Sequence, residues 1–189
     1  VRASLDTKNT QGQTALDIAI VKNDTAVVCV LASVHDDQGN TPLSVAASSG
    51  SHTLLKQLLA AKASVHVRNH AGYTPLMLAV SRGDATAASA LIEAGASLLD
   101  HNADGYTAAA LATQHKHTDV LRRLLDSNAS CSVADRSGHT LLKLSLAWRS
   151  LGAARMLANA IDDDGNTALA VAAQIGDVQQ VRKLLEANA

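Results

Sequence analysis

Asn69-His70-Ala71-Gly72-Tyr73-Thr74-Pro75-Leu76-Met77-Leu78-Ala79 is the stretch that decides the fold. Asn69 is suited to accept hydrogen bonds from the backbone two residues on, and Gly72 tolerates positive φ, so residues 69–72 read as a tight turn. Thr74 follows as a helix N-cap whose hydroxyl takes an otherwise orphan amide. Pro75 stands in the first helical turn, where no amide donor is needed. Leu76, Ala79 and Val80 then recur at the spacing of one helical face. Gly83, eleven residues after the turn glycine, closes the helix.

The same pattern returns along the chain. Asn or Asp stands three residues before a glycine and Thr two after it at Asn9/Gly12/Thr14, Asp36/Gly39/Thr41, Asn102/Gly105/Thr107, Asp135/Gly138/Thr140 and Asp162/Gly165/Thr167. With the quoted stretch this makes six copies, their glycines 27, 33, 33, 33 and 27 residues apart. Both prolines, Pro42 and Pro75, directly follow a capping Thr. Second helices carry leucine pairs such as Leu58-Leu59 and Leu124-Leu125, and Leu58, Leu91 and Leu124 are expected to be buried between layers. Each unit reads as turn, short helix, turn, longer helix. Neither helix can bury its apolar face alone, and stacking the units does so.

Thr41-Pro42-Leu43-Ser44-Val45-Ala46 and Thr74-Pro75-Leu76-Met77-Leu78-Ala79, in a 33-residue period, resemble the ankyrin repeat. The resemblance covers nearly the whole chain. It implies an all-α ankyrin-repeat solenoid of about six stacked helix-turn-helix repeats joined by short β-turn or hairpin loops. Residues 1–7 would be the tail of a preceding repeat, followed by repeats at 8–34, 35–67, 68–100, 101–133 and 134–160, with an incomplete sixth at 161–189. Repeats one and five are each six residues short, after Leu31-Ala32 and Leu157-Ala158. Two readings stand there, a shortened connection or loop residues missing at that point. Neither end carries a polar capping unit, which suggests a piece of a longer array. The sequence also departs from the family. The family's usual His after Thr-Pro-Leu is replaced by Asp17, Ser44, Met77, Ala110, Lys143 and Ala170, which implies that neighbouring turns lose a tie. Lys116 and Arg149 replace the inter-helix glycine in repeats four and five.

Composition agrees with close helical packing. The chain is 47% hydrophobic yet has no Phe, so its core must be built from Leu, Ala, Val and Ile. Sixteen basic against seventeen acidic residues leave no surplus of positive charge for phosphates, so nucleic acid is not an expected partner. No apolar run approaches the ~20 residues of a membrane span, so no membrane insertion is expected. With two cysteines and no signal-like start, the expectation is an intracellular protein, cytoplasmic or nuclear. Cys29 and Cys131 lie three repeats apart, too far to pair within one chain.

No catalytic, cofactor-binding or metal site is expected, and the reading is not an enzyme. His115-Lys116-His117 with Asp119 offers residue types that ligate metals, but residues two apart do not share a helix face and no Cys pair accompanies them. Neither a Gly-x-Ser-x-Gly turn nor a phosphate-binding Gly-Lys-Ser/Thr loop is present. Asp162-Asp163-Asp164-Gly165 matches the register of the other turns better than a calcium loop.

The resemblance implies a concave surface of turn tips and first helices on which proteins bind. Tyr73, Tyr106 and Trp148, all the aromatics of the chain, fall at such positions. The candidate protein-binding residues are Tyr73, Arg82, Tyr106, His115, Arg136, His139 and Trp148. The three aromatics are expected to be substantially exposed on one side, Trp148 lacking an obvious internal slot. The expected function is a non-catalytic scaffold binding a peptide or protein domain. The alternative is a structural spacer making intramolecular contacts with other domains of the same chain.

Overall fold

The computed structural model describes residues 7–22, 25–129, 135, 137, 139–161 and 164–187. Among these residues there are twelve helices and no strand beyond an isolated bridge between Ile161 and Thr167. The first helices, shorter than their partners except α9, are α1 (Ala15–Val21), α3 (Pro42–Ser49), α5 (Pro75–Arg82), α7 (Ala108–Gln114), α9 (Leu141–Ala147) and α11 (Ala168–Ile175). They alternate with the second helices α2 (Thr25–Ala32), α4 (His52–Ala60), α6 (Ala85–Glu93), α8 (Thr118–Asp126), α10 (Leu151–Met156) and α12 (Val178–Ala187).

The chain divides into two compact units, Val1–Arg82 with Thr86–Ala96, and Gly83–Ala85 with Ser97–Ala189. In the first, α3 packs on its partner α4 and on α5, while α2 packs on α4. In the second, α7, α9 and α11 stack in sequence on one layer, and α8, α10 and α12 on the other. First helices thus meet first helices and second meet second, the packing of a helical-repeat solenoid. Leu58, Leu91 and Leu124 are each 0% exposed. Leu43, Leu55, Leu76 and Met77 complete the first core; Leu111, Leu121, Leu141, Leu142 and Leu146 complete the second.

The turns explain why the pattern tolerates Asn or Asp at its head. Asn69 Oδ1 accepts from Ala71 N at 3.1 Å and Tyr73 N at 2.9 Å. Asn9, Asp36, Asn102 and Asp135 each hold the corresponding two amides. Thr41, Thr74, Thr107, Thr140 and Thr167 accept the amide three residues on, at 3.2–3.4 Å, as caps of their helices.

Five first helices, α3, α5, α7, α9 and α11, end with a left-handed residue. Gly50 and Gly176 adopt φ 75°, and Gly83 φ 81°. Lys116 and Arg149 take the same conformation, φ 61° and 52°, although they carry side chains. The backbone demands it: His117 N donates to Ala112 O and Ser150 N to Ser145 O, bonds that close only if the intervening residue is left-handed. Second helices of the 33-residue repeats end likewise, with Lys62, Gly95 and Asn128 at positive φ. After α2 and α10 the chain turns through Val34 N to Leu31 O and Ala160 N to Leu157 O.

The absent family His leaves other ties in place. Met77 is buried core, and Ser44 Oγ lies 3.2 Å from Thr41 Oγ1. Lys143 Nζ reaches Asp164 of the following turn at 2.9 Å. In the first unit the second and third turns are joined by His70 N to Gln38 O and Asn69 Nδ2 to Asn40 Oδ1, both 2.9 Å.

Candidate functional site

Within the second unit the repeat brings two of the candidate residues together. Tyr106 stands at the tip of its turn, its amide held by Asn102 Oδ1 at 2.9 Å. Trp148 is the C-cap of α9, its amide bonded to Leu144 O at 2.9 Å. Their ring centroids are 5.4 Å apart and the planes cross at 75°, an edge-to-face contact. Both residues are half-buried rather than substantially exposed. The expectation that Trp148 has no slot is corrected here: the preceding repeat supplies one, in the form of the Tyr106 ring. Such a pair contributes about 0.5–1.5 kcal/mol beyond its buried area, so these aromatics also support the stack.

His115 is exposed at the C-cap of α7. Its ring stacks on that of His117, centroids 5.9 Å apart at 26°. The sequence argument that residues two apart point away from each other holds inside a helix. It fails here because Lys116 turns the backbone left-handed between the two rings. No group of three or more metal-ligating side chains forms among the described residues.

His139 is exposed, with Nδ1 3.2 Å from both carboxylate oxygens of Asp135. Burial pushes the Asp135 carboxyl up, but the His139 amide and ring and the Ser137 amide outweigh it and hold it below the ordinary 3.8. The pair adds one anion-backed imidazole to the surface near Trp148 in sequence.

The first unit carries Tyr73 and Arg82. Tyr73 is half-buried, with its amide on Asn69. Arg82 is exposed, yet one guanidinium nitrogen donates to Ser48 O at 3.3 Å, the C-terminal end of α3. A cation suits the negative end of a helix dipole. Arg136 and Cys131 lie outside the described residues, as does the side chain of Cys29.

Sequence reasoning passed over Gln180. In α12 it occupies the register position that Leu54, Ala87, Val120 and Ala153 hold in other repeats, four residues after the inter-helix turn residue. A lone polar residue in that apolar column was the available signal.

Comparison with known families gives a consistent picture. A family model described as ankyrin repeats (three copies) matches residues 1–69 and again 43–135, and a single ankyrin-repeat model matches residues 164–189. No curated protein matches the chain. Among the described residues no helix is long and apolar enough to cross a membrane.

Proposed function

Because this chain belongs to the ankyrin-repeat family, whose repeats are generally protein–protein interaction modules, we propose that it is a non-catalytic scaffold recognising a peptide or protein domain. The binding surface is the turn-tip and first-helix face. In the second unit it consists of Tyr106, His115, His139 and Trp148, with Arg136 beside them in sequence. In the first unit Tyr73 and the remaining donors of Arg82 serve the same role.

One observation carries this reading. A chain with three aromatics has spent none of them on its fully buried core, and keeps two as an edge-to-face pair that solvent still reaches. Tyr and Trp concentrate binding energy at interfaces because they offer large area with few rotatable bonds. His115 and His139, on the same unit, are exposed and add polar groups of the kind an interface rim uses.

The test compares affinity capture by the wild-type chain with capture by His115→Ala/His139→Ala and by Trp148→Ala. The His variants touch exposed side chains and are expected to keep the melting temperature. Shared loss of the same specific partners from both variants is the expected outcome. An unchanged capture profile from two folded variants would instead favour the spacer with intramolecular contacts.

A further inference from the structure

The solvent side of the second helices repeats one side chain in register. Six residues after the left-handed residues Lys116, Arg149 and Gly176 stand Arg122 on α8, Arg155 on α10 and Arg182 on α12, all three exposed. The same position in the first unit holds Cys29, Lys56 and Ser89, so the run of arginines belongs to the second unit.

Within that unit α8 packs on α10 and α10 on α12. Packed helices lie roughly 8–10 Å apart, so the three arginines form a row with about that period. Arg155 is tied into the row, because one guanidinium nitrogen donates to Lys183 O on α12 at 3.4 Å. Its other N–H donors remain for a ligand. Among the described residues Arg122 and Arg182 enter no ion pair. Arg123 and Lys183, which follow them on α8 and α12, are exposed and add positive charge.

The row is also narrow. Asp119 and Asp126 stand one helical turn before and after Arg122, and Glu186 one turn after Arg182, all exposed. These carboxylates border the arginines along the helix axes and oppose a broad anionic surface such as a bilayer. A nucleic-acid strand, with one phosphate per ~3.4 Å, overfills a row that offers one arginine per helix layer. What matches is a ligand one chain wide with anionic groups about 10 Å apart. A polyproline II segment has that geometry: three residues per turn at a rise of about 3.1 Å put every third side chain on one face, about 9.3 Å apart. A β-strand does not, because its side chains alternate and residues three apart point to opposite faces.

We propose that the row of Arg122, Arg155 and Arg182 is a docking site for an acidic polyproline II segment of a partner protein, with a carboxylate at every third residue. Each carboxylate takes the fork of one guanidinium, a planar bidentate match that an ammonium does not offer. The inference rests on the protein-recognition reading above and adds a partner chemistry to it, on the second helices rather than at the aromatic pair.

The probe is a fluorescein-labelled peptide of three Glu-Pro-Pro triplets, followed by fluorescence anisotropy at low salt. Its control has the same composition with the three glutamates consecutive. The spaced peptide is expected to bind the wild-type chain several-fold more tightly than the control. Arg122→Gln/Arg155→Gln/Arg182→Gln should weaken it more than tenfold. Lys8→Gln/Lys22→Gln/Lys56→Gln removes the same charge from exposed side chains of the first unit and should change little, as should Trp148→Ala. Equal binding of the two peptides, or equal loss in the arginine and lysine variants, would reduce the row to net charge and overturn the proposal. Tighter binding of a single-stranded oligonucleotide or of phosphatidylserine vesicles, lost in the arginine variant, would overturn it in favour of a phosphate-binding surface. Loss of the peptide from Trp148→Ala would move it to the aromatic pair. No binding of the spaced peptide would overturn the row and leave the aromatic surface to its own capture test. Arg122→Gln/Arg182→Gln keeps the bond from Arg155 to α12, so it decides the question even where the triple variant folds poorly; full affinity in this double variant would overturn the proposal.

Discussion

Lys116 and Arg149 hold a conformation that side chains resist. Left-handed backbone costs an ordinary residue roughly 1–2 kcal/mol, and glycine regains only roughly 0.5–1 kcal/mol of that as unfolded-state freedom. Lys116→Gly should therefore stabilise the chain by about 0.5–1 kcal/mol. Arg149→Gly should gain less, because it also loses the ion pair with Asp177, an exposed contact worth about 0–1 kcal/mol. Urea midpoints of the two variants check this; destabilisation by Lys116→Gly would mean that its side chain contributes packing that outweighs the strain. The same substitution loosens the turn that stacks His115 on His117, so the pair's ring contact is a property of the turn rather than of either histidine.

At the scale of the element, close approach of second helices decides a substitution that propensity alone would misjudge. Gly152 lies in the first turn of α10, where alanine would be better for the helix by up to about 1 kcal/mol. A Cβ there, however, would meet Cγ2 of Thr118 at the start of α8. Overpacking of this kind costs about 1–3 kcal/mol, so Gly152→Ala should be net destabilising. Thr118→Ser removes the obstructing methyl, and the double variant should recover the stability lost by Gly152→Ala. A double-mutant cycle measured by thermal unfolding isolates that coupling, and additive effects would show that α8 and α10 separate more freely than their packing implies.

For the molecule as a whole, acid stability follows from the heads of the turns and the cap of α12. Asp36 is held below the ordinary 3.8 by hydrogen bonding from the Asn40 side chain and from backbone amides. Asp135 is lowered as described above, and Asp177 chiefly by the Gln180 amide and side chain. A depressed carboxyl stabilises the fold above its unfolded value, and that contribution is lost as pH falls through the folded value. The chain should lose stability from about pH 4 downward. Asn9, Asn69 and Asn102 show that a neutral amide suits the turn geometry. Asp36→Asn/Asp135→Asn should therefore fold at neutral pH and show a smaller drop in denaturation midpoint between neutral pH and about pH 3. An equal drop in wild type and variant would assign the acid sensitivity to other groups.

The period, the turn heads, the threonine caps and the helical alternation were legible in the sequence because each is local. Asn69 serves amides two and four residues away, and Thr74 serves Met77, so such signals survive without knowledge of any neighbour. Burial of Leu58, Leu91 and Leu124 was legible for a related reason: a repeated apolar position has one repeated environment. What tertiary structure decided was non-repeating. Trp148 finds Tyr106, Lys143 finds Asp164 and Gln180 is buried against Leu146 only because a neighbouring layer brings those groups within reach. Such contacts depend on which side chain the adjacent repeat presents at a few ångströms, and no periodicity within one repeat encodes that.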